Sequence, residues 1–197
     1  MLRTLLIRAW ALSAALSLIL AACGPSQPAD TIDIADAMPP LAFSLTRAID
    51  NAPVSAADYR GTTVLLYFGY THCPDECPTT LANLASALKR LGSRAAKVRV
   101  LFVTVDPGRD TIPILRSYVK SFAPEIDGLR GDENAIAALA RRYRVVYSVT
   151  PASPGYPYSV RHSDSVFIFD RHGKPRLVTT STADSAAMAE RIESLSL

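Results

Sequence analysis

Two cysteines separated by three residues are the side chains in this sequence best suited to chemistry. Cys73 and Cys77 lie in the segment Cys-Pro-Asp-Glu-Cys-Pro, directly after the apolar run Val64 to Phe68. Soft thiolates bind soft metal ions, and two neighbouring thiols can also close a disulfide. The third cysteine, Cys23, lies near the N-terminus. The pair therefore predicts either a metal site or a redox-active dithiol.

The spacing of the two cysteines suits both kinds of chemistry. If Cys73 and Cys77 lie one helical turn apart, their Cα atoms are about 6 Å apart, a separation that a disulfide accepts. The same spacing lets both sulfurs face one metal ion. Pro78 is suited to the first turn of a following helix, where its missing N–H costs nothing. The positive end of that helix would favour thiolates, the form that metal binding and disulfide exchange require.

Two thiolates rarely complete a stable metal site, and the histidines are the candidates for a third ligand. The sequence contains His72, His162 and His172. His172 falls in a predicted hairpin turn, and His72 directly precedes Cys73, so that the side chains of His72 and Cys73 tend to diverge. His162 precedes a strand-like run and could reach the site from elsewhere in the fold. Its position alone favours a structural role for His162, in which the imidazole hydrogen bonds to backbone at the start of a strand, over a role as a metal ligand.

The elements that must position these residues alternate between strands and helices. Strand-like runs fall at 41–45, 62–68, 97–105, 145–149, 165–169 and 175–178, and helical patterns at 78–91, 112–122, 132–142 and 182–195. The continuous apolar run at 62–68 is typical of a strand covered on both faces. With a cysteine motif between an early central strand and its helix, the pattern predicts an α/β, thioredoxin-like fold. We expect a central mixed sheet flanked by helices, with an added hairpin formed by 165–169 and 175–178 and an irregular, proline-broken loop at 150–157.

The N-terminus indicates export. Arg3 and Arg8 precede an apolar stretch that is shorter than the roughly 20 residues needed to span a bilayer. Leu-Ala-Ala-Cys23 resembles the bacterial lipoprotein signal, which implies lipidation of Cys23; an ordinary secretory signal is the alternative. We therefore expect a signal peptide at 1–22, a flexible tether at 23–38 and a single domain at 39–197. The protein would be anchored to a membrane of the bacterial cell envelope, with its domain in the periplasm or otherwise outside the cytoplasmic membrane.

Three stretches resemble the conserved blocks of one family. They are Phe68-Gly-Tyr-Thr-His-Cys-Pro-Asp-Glu-Cys-Pro-Thr-Thr-Leu81, Val105-Asp-Pro-Gly-Arg-Asp-Thr111 and Tyr158-Ser-Val-Arg-His-Ser163. In this order they resemble the Sco (SenC) family of copper-binding proteins, and the resemblance covers roughly residues 41 to 180. A pair of cysteines with this spacing is a weak signal alone, whereas the ordered set of three blocks is specific.

The resemblance implies a ligand set. Cys73, Cys77 and His162 would bind copper as Cu(I) or Cu(II), and Asp106 would be a nearby acidic residue that supports the site. The same two cysteines would also form the redox disulfide. Where the family often has Asp directly before its histidine, this chain has Arg161. That change replaces a potential hydrogen-bond acceptor with a cation.

The function implied by the resemblance is that of a membrane-anchored copper chaperone in the assembly of the binuclear copper centre of a haem–copper cytochrome c oxidase. Its partners would be the copper-receiving oxidase subunit, a thiol reductant protein and the membrane. The residues agree with copper, because thiolates select Cu(I). A structural zinc site usually has four protein ligands, one more than the three good ones here.

Two other functions remain open from the sequence. An exported thiol–disulfide oxidoreductase acting on partner cysteines is the main alternative, although such enzymes usually have two residues between their cysteines. A copper or redox sensor is the third. We expect no turnover of a small-molecule substrate and assign no catalytic residue. The net charge of +3 and the lack of a basic patch with interleaved aromatics give no reason to expect a nucleic-acid partner.

Overall fold

The computed structural model describes residues 30–155 and 158–195. The expected signal peptide, Cys23 and the first part of the expected tether lie outside these residues. None of the helices in the described part is long and apolar enough to cross a membrane.

A mixed sheet of eight strands forms the centre of the fold, in the order β1-β10-β9-β4-β5-β6-β2-β3. A separate two-stranded sheet consists of β7 and β8. The strands are β1 Thr31–Asp33, β2 Ser44–Arg47, β3 Ala52–Ser55, β4 Thr63–Gly69, β5 Val98–Thr104, β6 Ile126–Arg130, β7 Tyr147–Thr150, β8 Ser159–His162, β9 Val166–Phe169 and β10 Pro175–Thr179.

Helices flank this sheet, as predicted for an α/β fold. They are α1 Glu76–Leu91, α2 Ile112–Lys120, α3 Glu133–Arg142 and α4 Ser185–Leu195, with short 3-10 helices at Ala56–Tyr59 and Gly92–Lys97. Asp132 caps α3 by accepting a hydrogen bond from the Ala135 N–H at 2.7 Å, as its sequence position predicted. Gly92 ends α1 with a positive φ of 58°, which a glycine adopts readily.

The core lies around β4, which carries the cysteine motif at its C-terminal end. Every residue of β4 is buried. It pairs in parallel with β5 and antiparallel with β9, so its backbone is bonded on both edges. The expectation of a strand covered on both faces is confirmed, because an apolar run without alternation has no face to present to water.

The structure contains four strands that the sequence did not predict: β1, β3, β6 and β8. Residues 31–33 form β1 and pair with β10, and Ile34 is buried, so residues 31–38 are not a free tether. Strand β1 is short and largely polar, and backbone hydrogen bonds hold it at the edge of the sheet. Amino-acid composition does not reveal a strand of this kind. The region expected to be an irregular loop connects β7 and β8, which pair as an antiparallel hairpin. The predicted hairpin of β9 and β10 is confirmed.

Candidate metal centre

The structure brings two cysteines and one histidine together at the end of β4. Cys73 lies in the turn before α1, Cys77 lies in the first turn of α1, and His162 is the last residue of β8. One ligand atom from each lies within 4.8 Å of the others. The Cys77 Sγ is 3.2 Å from the His162 Nε2, although the two residues are 85 positions apart. Two soft sulfurs and an imidazole nitrogen thus surround one point.

The local backbone explains why the cysteines face each other. Helix α1 begins at Glu76, and Pro78 occupies its first turn as expected. Cys73 precedes the helix, where its N–H donates to the carbonyl oxygen of Tyr70 at 3.3 Å. The Cys77 N–H in turn points at the Cys73 sulfur at 3.5 Å. Both thiols are free, so the pair is in the form that can bind a metal.

The protonation of Cys77 differs from the sequence expectation. Cys77 is fully buried, and this burial raises the pKa of its thiol to about 12. This rise opposes the thiolate that the helix N-terminus was expected to favour, because burial raises the thiol pKa more than the hydrogen bonds from Tyr70 and Tyr67 lower it. A metal that binds this sulfur must displace the proton, so its apparent affinity rises with pH.

Burial also predicts an order of reactivity between the two thiols. Cys73 is half-buried, whereas Cys77 is fully buried with a raised pKa. We expect iodoacetamide to alkylate Cys73 faster than Cys77 by more than about tenfold in the reduced, metal-free protein at pH 8, since the exposed thiolate is the nucleophile. Peptide mass spectrometry over time measures both rates. In denaturant the two rates should converge, and equal rates in the folded protein would contradict the burial described here.

His162 is oriented as a metal ligand. Its Nδ1 lies 3.0 Å from the carbonyl oxygen of Ser163. A carbonyl oxygen only accepts, so Nδ1 carries the proton and Nε2 directs its lone pair at the sulfurs. The rings of Tyr67 and Tyr70 pack nearly perpendicular to the imidazole, with ring centroids 6.1 and 5.8 Å away.

The other two histidines lie outside this group among the described residues. The His72 side chain is 49 % exposed, and its Nδ1 is 3.6 Å from the Asp110 carboxylate. His172 lies in the turn between β9 and β10 and is exposed. Both placements agree with the sequence reading.

Asp106 is bonded to neighbours of the cluster and is not itself one of the three clustered residues. Its buried carboxylate accepts hydrogen bonds from the Tyr158 hydroxyl at 2.8 Å and from the Arg109 Nε at 2.5 Å. Those partners are neighbours of the site rather than its ligands. Arg161 is exposed on β8, next to His162.

Two residues that sequence reasoning missed shape the site. A Cβ added to Gly69 would lie 2.7 Å from the Cys77 Sγ and 2.6 Å from a ring carbon of Phe102, so this glycine lets the thiol pack against the end of β4. Asp110 is fully buried and accepts hydrogen bonds from the Thr71 N–H at 3.0 Å and the Thr71 hydroxyl at 2.6 Å. For Gly69 the sequence did hold a signal, because a glycine at the end of an apolar strand beside a cysteine motif indicates close packing there.

An open cavity of about 470 Å³ gives access to the cluster. Its lining consists of Tyr70, Cys73, Glu76, Val160, Arg161, His162 and Asp164. Cys73 and His162 thus face the opening, while Cys77 lies behind them. A metal ion or a partner side chain would approach from the side of Cys73 and His162.

Comparison with known proteins decides the family. The SCO1/SenC family model matches residues 38–196. The chain belongs to the SCO1/SenC family. This finding confirms the resemblance that the three sequence blocks indicated.

Relatives of this SCO1/SenC protein are similar over most of the domain. The mitochondrial SCO2 homolog of Bos taurus is 43% identical over 119 residues, which is 59% of this chain and 45% of the relative. The mitochondrial SCO2 homolog of Mus musculus is 37% identical over 145 residues, 73% of this chain and 56% of the relative. The chain thus spans about half the length of these curated relatives.

A solved structure supports the fold. Bradyrhizobium japonicum ScoI with copper bound is 32% identical, with a TM-score of 0.72, and the match covers 79% of this chain and 98% of ScoI. The predicted thioredoxin-like fold, with a mixed sheet flanked by helices, is therefore confirmed for this SCO1/SenC protein.

Proposed function

We propose that this protein binds one copper ion through Cys73, Cys77 and His162 and transfers it to another protein. The observation that carries the proposal is the convergence of two sulfurs and a correctly oriented imidazole nitrogen within 4.8 Å. The copper-bound state of the related ScoI supports the choice of metal.

The donor set favours copper over zinc. Thiolates select Cu(I), and imidazole also suits Cu(II). A structural zinc site usually has four protein ligands in a tetrahedron. The described residues offer three at this point, and the site opens to solvent beside Cys73. Three ligands with an open approach suit a metal that is handed on.

We further propose that the recipient is the copper-receiving subunit of a cytochrome c oxidase, at its binuclear copper centre. Family membership supports this assignment. In the same proposal, the lipidated Cys23 anchors the protein to a membrane of the cell envelope, and residues 24–30 are the short link to the domain. A thiol reductant protein keeps Cys73 and Cys77 reduced in this oxidising compartment, because only the reduced pair can bind metal.

Anaerobic Cu(I) titration of the reduced protein against a chelator tests the proposal. We expect one tightly bound Cu(I), with His162→Ala weakening the affinity by roughly 100-fold or more, since loss even of a supporting residue costs a metal site 10- to 100-fold. His172→Ala is the matched control, because that histidine is exposed in the turn between β9 and β10 and is not part of the ligand cluster. No Cu(I) binding, or an unchanged affinity in His162→Ala, would contradict the three-ligand site.

A second candidate function, thiol–disulfide exchange with partner cysteines, rests on the accessibility of Cys73. A half-buried Cys73 in front of a buried Cys77 is the arrangement in which one thiol can attack a partner and the other can resolve the mixed disulfide. The rate of exchange with a disulfide-containing partner separates the two functions. Fast catalytic exchange together with negligible copper affinity would favour the oxidoreductase.

A further inference from the structure

We propose that the loop of residues 106–110, here called the brace loop, sets the distance between the two cysteines and His162. The brace loop connects β5 to α2 and contains Asp106, Arg109 and Asp110. One of its carboxylates holds the cysteine segment, and the other holds the hairpin that carries His162. The inference rests on the proposed function only in taking the three clustered residues as the metal ligands.

The main sheet does not by itself fix the position of His162. Strands β7 and β8 form their own two-stranded sheet, and His162 ends β8, opposite Tyr147. A two-stranded hairpin is marginally stable without packing against other elements. The contacts between this hairpin and the rest of the domain therefore determine where the imidazole lies.

The brace loop makes polar contacts at the start of this hairpin's second strand, β8. The hydroxyl of Tyr158, just before β8, donates to the Asp106 carboxylate at 2.8 Å. The Arg109 guanidinium pairs with the other oxygen of Asp106 and lies 3.9 Å from the centre of the Tyr158 ring. A charge-assisted hydrogen bond and a cation–π contact thus hold the start of β8.

Arg109 also reaches the aromatic side chain beside the imidazole. Its guanidinium is 5.8 Å from the centre of the Tyr70 ring, which packs perpendicular to the His162 imidazole. The Tyr70 hydroxyl donates to the carbonyl oxygen of Val160 at 3.4 Å, within β8. Arg109 therefore supports His162 from two sides, through Tyr158 and through Tyr70.

The other end of the brace loop holds the cysteine segment. Asp110 is fully buried and accepts hydrogen bonds from the backbone and the hydroxyl of Thr71, two residues before Cys73. The Thr104 hydroxyl donates to the same carboxylate at 2.5 Å and so ties it to the end of β5. A buried carboxylate with three donors is strongly constrained, because each lost bond leaves charge unsolvated.

The two ends of the brace loop are joined rigidly. The Asp110 N–H donates to the Asp106 carbonyl oxygen at 2.9 Å. The Arg130 side chain, from β6, donates to the carbonyl oxygens of both Asp110 and Pro107. Because the loop is closed on itself and bonded to β6, the cysteine segment and the histidine hairpin share one fixed support.

Two hydroxyl deletions test each end of the brace loop separately. Tyr158→Phe removes the bond to Asp106 and keeps the ring over Arg109, while Thr71→Val removes the hydroxyl bond to Asp110 and keeps the side-chain shape. Tyr59→Phe is the matched control, because the Tyr59 hydroxyl donates to the Asp127 carboxylate at 3.1 Å outside the metal-ligand group. Hydrogen exchange of the metal-free protein, followed by peptide, reports local opening in each variant.

We expect Tyr158→Phe to speed amide hydrogen exchange in residues 147–150 and 159–162 by about tenfold. This is the effect expected when a hydrogen bond to a charged group is lost. Residues 70–77 should exchange as in the unchanged protein. Thr71→Val should give the reverse pattern, and Tyr59→Phe should change neither region. Unchanged exchange in the hairpin of Tyr158→Phe, or equal acceleration in all three variants, would overturn the proposal.

A copper measurement links the brace loop to the site. In Tyr158→Phe loaded with Cu(II), we expect weaker nitrogen hyperfine coupling than in the unchanged protein and in Tyr59→Phe, because His162 is held less firmly. Coupling identical to the control would contradict a positioning role. If the unchanged protein bound no copper, the proposed function would fail, while hydrogen exchange in the metal-free protein would still decide the role of the brace loop.

Discussion

Replacing Cys77 with serine is expected to abolish tight Cu(I) binding, with a loss well beyond the roughly 100-fold that removal of a supporting residue costs a metal site. The serine hydroxyl is a hard, protonated donor that does not replace a thiolate for Cu(I). Cys77 is also fully buried at the back of the cluster, 3.2 Å from the His162 Nε2, so no water reaches the vacated position easily. Anaerobic competition with a Cu(I) chelator measures the loss.

Folding must be separated from binding in this experiment. Placing a serine hydroxyl in an apolar environment destabilises a protein by about 1–3 kcal/mol, so circular dichroism and urea unfolding of metal-free Cys77→Ser should show a folded but weakened protein. A folded variant that binds Cu(I) as tightly as the unchanged protein would show that Cys77 is not a ligand.

Gly69→Ala is expected to lower both stability and copper affinity. The new Cβ would lie 2.7 Å from the Cys77 Sγ and 2.6 Å from a ring carbon of Phe102, and both side chains are fully buried. Overpacking of this kind costs about 1–3 kcal/mol. Because the sulfur must shift to relieve the contact, its geometry with His162 is disturbed. Urea unfolding of the metal-free protein and Cu(I) competition measure the two effects.

Gly128→Ala is the matched control for this substitution. A Cβ there would lie 2.7 Å from the Leu115 Cγ, in a part of β6 that does not contact the metal ligands. We expect this variant to lose stability while binding copper as the unchanged protein does. Equal loss of copper affinity in both variants would show that general destabilisation, rather than displacement of Cys77, weakens the site.

The central part of the fold could be predicted from the sequence because its signals are local. The continuous apolar run of β4 indicates a strand covered on both faces, and the leucines of α1 recur at helical spacing. The cysteine motif lies between these two elements, so its position followed directly. Strand β1 escaped prediction because a short polar edge strand is held by backbone bonds to β10.

The third ligand could not be derived from local pattern. His162 meets the cysteines because β7 and β8 pair and because Tyr70 and Tyr158 hold that hairpin to the domain. These contacts join parts of the chain that are far apart in sequence, so only the family resemblance pointed to this histidine. The burial that raises the pKa of the Cys77 thiol also depends on tertiary packing, since its sulfur lies 3.2 Å from the Nε2 of His162, 85 positions away in the sequence.

X-ray absorption spectroscopy of the reduced protein loaded anaerobically with one equivalent of Cu(I) tests the central claim most directly. The account predicts a three-coordinate copper with two sulfur ligands and one imidazole nitrogen, from Cys73, Cys77 and His162. His162→Ala should remove the nitrogen contribution and keep both sulfurs. A copper with fewer than two sulfur ligands, or with the same nitrogen contribution in His162→Ala, would contradict the account.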